Sequence, residues 1–227
     1  VRHVPVDDWV LFRRLLNDAD ALLLDFDGPV CSVFAGYPAP VIAAELRTLI
    51  HDAGQPPPSE FDADDPHTIL GYAAELSPVL GRQIEAVLQT REIEAVATAT
   101  PTPGAAELMA TWHATGRPLA IVSNNTTDAI TRYLTAHDLS VYIDHVQGRD
   151  PRDPTLMKPN PHLVAEAAKA FDVDTGRCVL IGDSATDIQA AHAAEVPVIA
   201  YANKPGKRDR LIRTVPALLL TSFLVPD

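Results

Sequence analysis

The chain has 227 residues, 47% of them apolar and 21% charged, and sets 18 Lys and Arg against 30 Asp and Glu for a net charge of −12. A chain of this length and composition buries a full core without disulfide or metal staples, and is neither disordered nor collagen-like. The acidic balance argues against nucleic acid or an anionic membrane as the main partner, and an anionic substrate would need positive charge placed locally.

The N-terminal stretch carries Asp7 and Asp8 and no charged-then-apolar signal pattern. Residues 21–24 (ALLL) form an apolar run too short for a helix, closed by Gly28-Pro29, and so predict a buried parallel strand that ends at Asp25-Phe26-Asp27-Gly28. From about Ser32 to about Thr100 no strand pattern appears. Val41–Ala53 has Val41, Ile42, Leu46, Leu49 and Ile50 at helical spacing, a Pro-rich loop covers Gln55–Ser59, and helices are predicted near Pro66–Leu76 and Pro78–Ala97. In the last of these Leu80, Ile84, Val87 and Leu88 make the apolar stripe.

Beyond residue 100 strands and helices alternate. Strands are predicted at Pro118–Val122, Val141–Val146, Cys178–Ile181 and Pro197–Tyr201, with an edge strand at Ala217–Leu220. Helices are predicted at Gly104–Ala114, Thr127–Ala136, Pro161–Phe171 after Asn160 as N-cap, and Ser184–Ala194. The fold class that follows is α/β: a Rossmann-like, doubly wound parallel sheet built from residues 1–31 and 101–227, with residues 32–100 inserted as a smaller helical domain. The run Val215–Val225 is too short to span a bilayer, and Cys31 and Cys178 form no disulfide framework, so a cytoplasmic, reduced chain is expected.

Ligands of an open parallel sheet bind beyond the carboxyl ends of its strands. Three polar signatures fall there: Asp25-Phe26-Asp27-Gly28, Ser123-Asn124-Asn125, and Gly182-Asp183-Ser184 with Asp187 four positions on. A fourth, Lys158-Pro159-Asn160-Pro161, precedes a helix and can reach the same rim. Each residue type suits phosphoryl transfer. One carboxylate of the Asp-x-Asp pair can attack phosphorus while the other handles a proton. Clustered carboxylates call for a hard cation, for which Mg²⁺ fits oxygen ligands, with Asp183 a further ligand. Ser123 and the backbone amides of Gly28 and Asn124 can hold phosphate oxygens, and Lys158 supplies the local positive charge.

Taken together, DFDGPV, IVSNN, MKPNP and LIGDSATD, in this order, resemble the four motifs of the haloacid dehalogenase-like hydrolases. The likeness extends to phosphatase-type members with a helical cap, such as phosphoglycolate phosphatase-like and β-phosphoglucomutase-like proteins, whose cap is also inserted after the first motif. It implies Asp25 as nucleophile forming an aspartyl-phosphate, Asp27 as general acid and then base, and Ser123 and Lys158 as holders of the phosphoryl group. It also implies Mg²⁺ bound by Asp25, the backbone carbonyl of Asp27 and Asp183, with Asp187 in support. The expected partner is a small phosphorylated metabolite, on a monomer or homodimer. Many members carry Thr where this chain has Pro29, which implies a changed loop shape.

Each residue also has a plainer reading. Asp25 and Asp27 alone would be turn caps, Asp187 a helix-dipole residue, and Cys31 a small buried filler. Lys204–Arg210 reads as a solvated loop, or else as a positive rim that guides phosphate inward. The histidines show no zinc spacing. Rival activities are a sugar phosphomutase, a non-catalytic phosphometabolite-binding module and a dehalogenase; the carboxyl of Asp27 favours phosphoryl chemistry over the last. Tyr37, His67, Arg82 and Arg91 are candidates for contacts from the inserted segment.

Overall fold

The run of four apolar residues at 21–24 is the middle of the molecule. In the computed structural model, which describes residues 3–55, 58, 64–204 and 206–224, these residues form β1 (Ala21–Leu24), buried on both faces. A strand covered on both sides has no polar face to present, so its sequence does not alternate.

Before it lies α1 (Trp9–Asp18), whose first turn is capped by the Asp8 carboxylate accepting from the Leu11 N–H. After it come β2 (Cys31–Ser32), α2 (Ala39–Asp52), α3 (Pro66–Leu76), α4 (Pro78–Val96) and β3 (Thr100–Pro101). The alternating part follows: α5 (Ala105–His113), β4 (Leu119–Val122), α6 (Thr127–Ala136), β5 (His145–Gln147), α7 (His162–Ala170), β6 (Cys178–Gly182), α8 (Ala185–Ala193), β7 (Val198–Tyr201), α9 (Lys207–Ile212) and β8 (Leu218–Leu220). Among the described residues, six strands form one parallel sheet in the order β5-β4-β1-β6-β7-β8. One apolar cluster covers each face of this sheet. A third cluster, of Ile42, Leu46, Ile50, Ile69, Leu70, Ile84 and Leu88 among others, is formed by α2, α3 and α4, with Met157 from the sheet side.

The differences from the sequence reading have local causes. Two-residue β2 and β3 pair antiparallel at the two borders of the helical segment, too short to leave a pattern. The strand expected from Val141 begins at His145, because Ser140–Tyr142 close a 3₁₀ turn. α2 buries Ile42, Ala43, Leu46 and Ile50 but leaves Val41 and Leu49 exposed, since its stripe runs at every fourth residue. α1 and α9 are additions. The proposed loop Gln55–Ser59 falls mostly outside the described residues. No helix among the described residues is long and apolar enough to cross a membrane.

Candidate active site

Because β1 lies between β4 and β6, the residues after all three strands emerge side by side at one sheet edge. Asp25, Ser123 and Asp183 are delivered there and are buried. The Asp25 N–H donates to the Ile181 carbonyl at 2.9 Å, and the Ser123 N–H to the Gln147 carbonyl at 3.0 Å, so both backbones continue the sheet ladder before their side chains turn into the cavity.

Lys158 comes from the segment before α7 and ends among them. Its Nζ donates to Asp25 Oδ1 at 2.8 Å, to Asp187 Oδ1 at 2.5 Å and to the Val122 carbonyl at 2.9 Å, which employs all three ammonium hydrogens. The Asn124 side chain fixes its backbone: Oδ1 accepts from the Lys158 N–H at 2.8 Å and Nδ2 donates to the Lys158 carbonyl at 3.0 Å. Asn124 therefore orients the lysine. Asp187 serves two ends at once. Its Oδ2 accepts from the Asp183 and Ser184 N–H groups and from Ser184 Oγ, completing a capping box at the start of α8, while Oδ1 faces Lys158.

Oxygens of Asp25, Asp183 and Asp187 lie within 4.8 Å of one another. Three buried carboxylates make the hard oxygen donor set that a divalent cation such as Mg²⁺ takes. Burial and the neighbouring Asp187 carboxylate push Asp25 up to about 8 against the pull of Lys158. Burial likewise pushes Asp183 up to about 6, against Lys207. Asp27 stands half-buried beside them, raised by burial, with its Oδ1 accepting from the Val33 N–H at 2.9 Å. For Lys158 the two carboxylates outweigh burial and hold the ammonium charged. A cavity of about 170 Å³ opens among Asp25, Asp27, Ser123, Lys158 and Asp183, with His67 across from them.

Gly28 contributes differently from expectation. Its N–H donates to the Cys31 carbonyl at 2.6 Å, and its own carbonyl accepts from Thr102 Oγ1, so its amide closes a turn instead of facing the cavity. What matters is the missing side chain: at φ +119° a Cβ would overlap the Asp183 carboxylate. Gly28→Ala is expected to cost about 1–3 kcal/mol of stability and to displace Asp183. Urea unfolding would measure the first effect, and a loss of divalent-cation affinity by titration calorimetry the second.

The basic run is not wholly a solvated loop. α9 starts at Lys207, whose Nζ donates to Asp183 Oδ2, while Lys204, Arg208 and Arg210 stay exposed. Of the four candidates from the helical segment, His67 lines the cavity. Arg91 instead pairs with Glu45 and Glu94, Arg82 is exposed away from the cavity, and Tyr37 packs half-buried between two apolar clusters.

Behind Ser123 lies a buried network that sequence reasoning missed. Arg149 donates to both oxygens of Glu85, at 2.8 and 3.0 Å, and to Glu92 Oε1 at 2.6 Å. Glu92, from α4, also accepts from Asn125 Nδ2 at 3.1 Å and from the Thr126 N–H at 3.1 Å. Asn125 in turn accepts from Ser123 Oγ at 3.2 Å. His67 Nε2 lies 2.9 Å from Glu92 Oε1 and its Nδ1 3.4 Å from Asp65 Oδ1. Burial alone would lower the imidazole's pKa, but these two carboxylates raise it to about 9. Glu92, despite burial, is held down at about 2 by Arg149 and His67.

A pH dependence follows. The folded pKa of His67 lies above its ordinary 6.5, so the stability it contributes is fully present below about pH 6.5 and is lost as pH rises through about 9. The unfolding free energy of the wild type should therefore fall relative to His67→Gln between about pH 7 and about pH 10. A parallel decline in the two proteins would show that the imidazolium is not the cause.

The comparisons with known proteins agree on one family. A family model described as haloacid dehalogenase-like hydrolase matches residues 19–195. The phosphoglycolate phosphatase of Cupriavidus necator is 28% identical over 91% of this chain and 95% of that protein. That of Caulobacter vibrioides is 28% identical over 92% of this chain and 89% of that protein. Among solved structures, a hydrolase of the same family from Deinococcus radiodurans, with bound phosphate and sodium, aligns at a TM-score of 0.59 and 26% identity, covering 91% of this chain and 92% of that one.

Proposed function

Since the chain belongs to the haloacid dehalogenase-like hydrolases, we propose that it hydrolyses the phosphomonoester of a small metabolite through an aspartyl-phosphate on Asp25. The observation that carries this reading is the buried convergence of Asp25, Lys158, Asp183 and Asp187 at one sheet edge beside Ser123. The similarity to phosphoglycolate phosphatases supports a phosphatase among the family's activities.

In this reading an Asp25 carboxylate oxygen attacks phosphorus, and the bond from phosphorus to the leaving alcohol breaks. Asp27, which burial keeps protonated more readily than an ordinary carboxyl, gives its proton to the departing oxygen. The resulting Asp27 carboxylate then takes a proton from water as that water's oxygen attacks phosphorus. The Asp25–phosphorus bond breaks, inorganic phosphate leaves, and Asp25 is regenerated. Ser123, kept in place by Asn125, faces the phosphoryl oxygens, and Lys158, whose hydrogens go to Asp25, Asp187 and the Val122 carbonyl, places its positive charge beside them. Mg²⁺, held by Asp25 and Asp183 with Asp187 in support, would supply the positive charge that keeps these carboxylates ionised and stabilises charge on the phosphoryl oxygens. The helical segment 32–100 acts as a cap, presenting His67 and Asp65 across the cavity and limiting access to small substrates.

With 4-nitrophenyl phosphate, phosphate release is expected with Mg²⁺, to fall at least about a hundredfold on chelation and to return when Mg²⁺ is restored. Equal rates with and without the cation would remove the metal from the account.

A further inference from the structure

Ser123 lines the cavity with its oxygen already held by a neighbour. Its Oγ accepts from the Asn125 N–H at 3.2 Å and donates to Asn125 Oδ1 at 3.2 Å. The hydroxyl hydrogen can turn about the Cβ–Oγ bond toward a phosphoryl oxygen while the backbone N–H keeps the oxygen in place. Which way the Asn125 amide faces is decided by Glu92. A carboxylate only accepts, so Glu92 Oε1, 3.1 Å from Asn125 Nδ2, makes the amide present its nitrogen there and its oxygen to Ser123. Glu92 Oε2 takes the N–H of the next residue, Thr126, at 3.1 Å.

Glu92 belongs to α4, in the inserted helical segment, and is wholly buried. A buried carboxylate is costly unless its lone pairs are taken, and four donors take those of Glu92: His67 Nε2, Arg149 Nη1, Asn125 Nδ2 and the Thr126 N–H. Arg149 holds the same loop one residue earlier, donating to the Asn124 carbonyl at 2.7 Å, and the Asn124 side chain orients Lys158. Neutralising Arg149 does not require Glu92 to reach the loop, since Glu85 already pairs with the guanidinium through both oxygens. We infer that Glu92 is a positioning residue for phosphoryl binding: from the helical segment it sets the Asn125 amide, and through it the Ser123 hydroxyl, so that the anion site is complete only with α4 seated on residues 123–126. The inference rests on the phosphatase reading above for the task of Ser123. A side chain that must meet a phosphoryl oxygen is effective only when its neighbours lock its geometry.

Orthovanadate, which mimics the phosphoryl group in transfer, is the probe, titrated calorimetrically with Mg²⁺ present. Glu92→Gln leaves one oxygen for the donors that two now take, and should weaken vanadate binding at least about tenfold. Glu85→Gln disturbs the same buried network, but Glu85 makes no hydrogen bond to residues 123–126 among the described residues. It should lower Tm comparably and leave vanadate affinity within about twofold. In a Ser123→Ala background Glu92→Gln should cost no more than about threefold, because the side chain it acts through is gone. Asn125→Ala, which cuts the link and leaves the ion pairs of Glu92 in place, should weaken vanadate as much as Glu92→Gln with a smaller loss of Tm. Equal weakening by the two Gln variants would make Glu92 merely structural, and an undiminished effect without Ser123 would route it through His67; either overturns the inference, as does unchanged affinity in Asn125→Ala. A wild type that binds vanadate but does not hydrolyse 4-nitrophenyl phosphate would overturn the phosphatase reading alone, and one that does not bind vanadate would overturn both.

Discussion

Asp25→Asn is expected to lower phosphatase activity at least about 10⁴-fold while leaving the unfolding midpoint unchanged or higher. The two halves of this expectation come from one arrangement. An amide nitrogen or oxygen cannot form the acyl-phosphate, so the first bond to phosphorus is lost outright. Yet the carboxylate it replaces is buried beside Asp187 and Asp183, and those neighbours together with burial raise it to about 8. Replacing that carboxyl removes the cost of burying an ionisable group beside two other carboxylates in the cation-free protein, while Lys158 keeps Asp187 as partner at 2.5 Å. Differential scanning fluorimetry in chelator, beside a 4-nitrophenyl phosphate assay with Mg²⁺, reads both quantities. Activity and midpoint falling together would mean that the variant lost its fold, not its nucleophile.

Arg149→Met should have the opposite profile, with stability lost first. The guanidinium is fully buried and bridges two glutamates of α4 that are themselves buried, Glu85 and Glu92. Methionine fills the space but leaves both carboxylates without their main counter-charge, and His67 reaches only Glu92. Breaking a buried pair in this way costs about 3–5 kcal/mol, which for a chain of this size lowers Tm by roughly 10 °C. Arg91→Met, one residue from Glu92 in sequence, is the control. Its partners Glu45 and Glu94 are partly exposed, so the change should cost no more than about 1 kcal/mol. Comparable losses in the two variants would show that burial of the Arg149 network contributes nothing special.

That contrast also shows what the amino-acid order could disclose. β1, β4 and β6 are followed directly by Asp25, Ser123 and Asp183, and an apolar run broken by a polar residue is a local signal. Neighbouring strand ends in a parallel sheet then converge by topology alone. Lys158 announced itself through the helix start that follows it, and its side chain reaches the same edge. Arg149 follows the end of β5 at that edge too, and the strand-end rule could have found it.

Glu92 had a weaker signal. It lies seven residues after Glu85, two helical turns along the buried stripe of Ile84 and Leu88, but Arg91 and Glu94 beside it give the segment the appearance of a solvated face. Asp65 and Lys207 reach the site through the start of a short helix each, where a cap and a basic residue are equally expected on a surface. A glycine beside an aspartate after a strand suggests an anion cradle, whereas the Gly28 amide closes a turn and its missing side chain makes room for Asp183. α1 leaves a weak signal because its polar residues interrupt a stripe only ten residues long.

The proposed reaction passes through one covalent bond, between Asp25 and phosphorus. The protein would be mixed with excess 4-nitrophenyl phosphate and Mg²⁺, quenched in acid within the first turnover, and reduced with borohydride, which converts an aspartyl-phosphate to homoserine. Peptide mass spectrometry should then find homoserine at position 25 and leave Asp27, Asp183 and Asp187 unchanged. Rapid phosphate release with intact Asp25 throughout, or reduction at another carboxylate, would contradict the account.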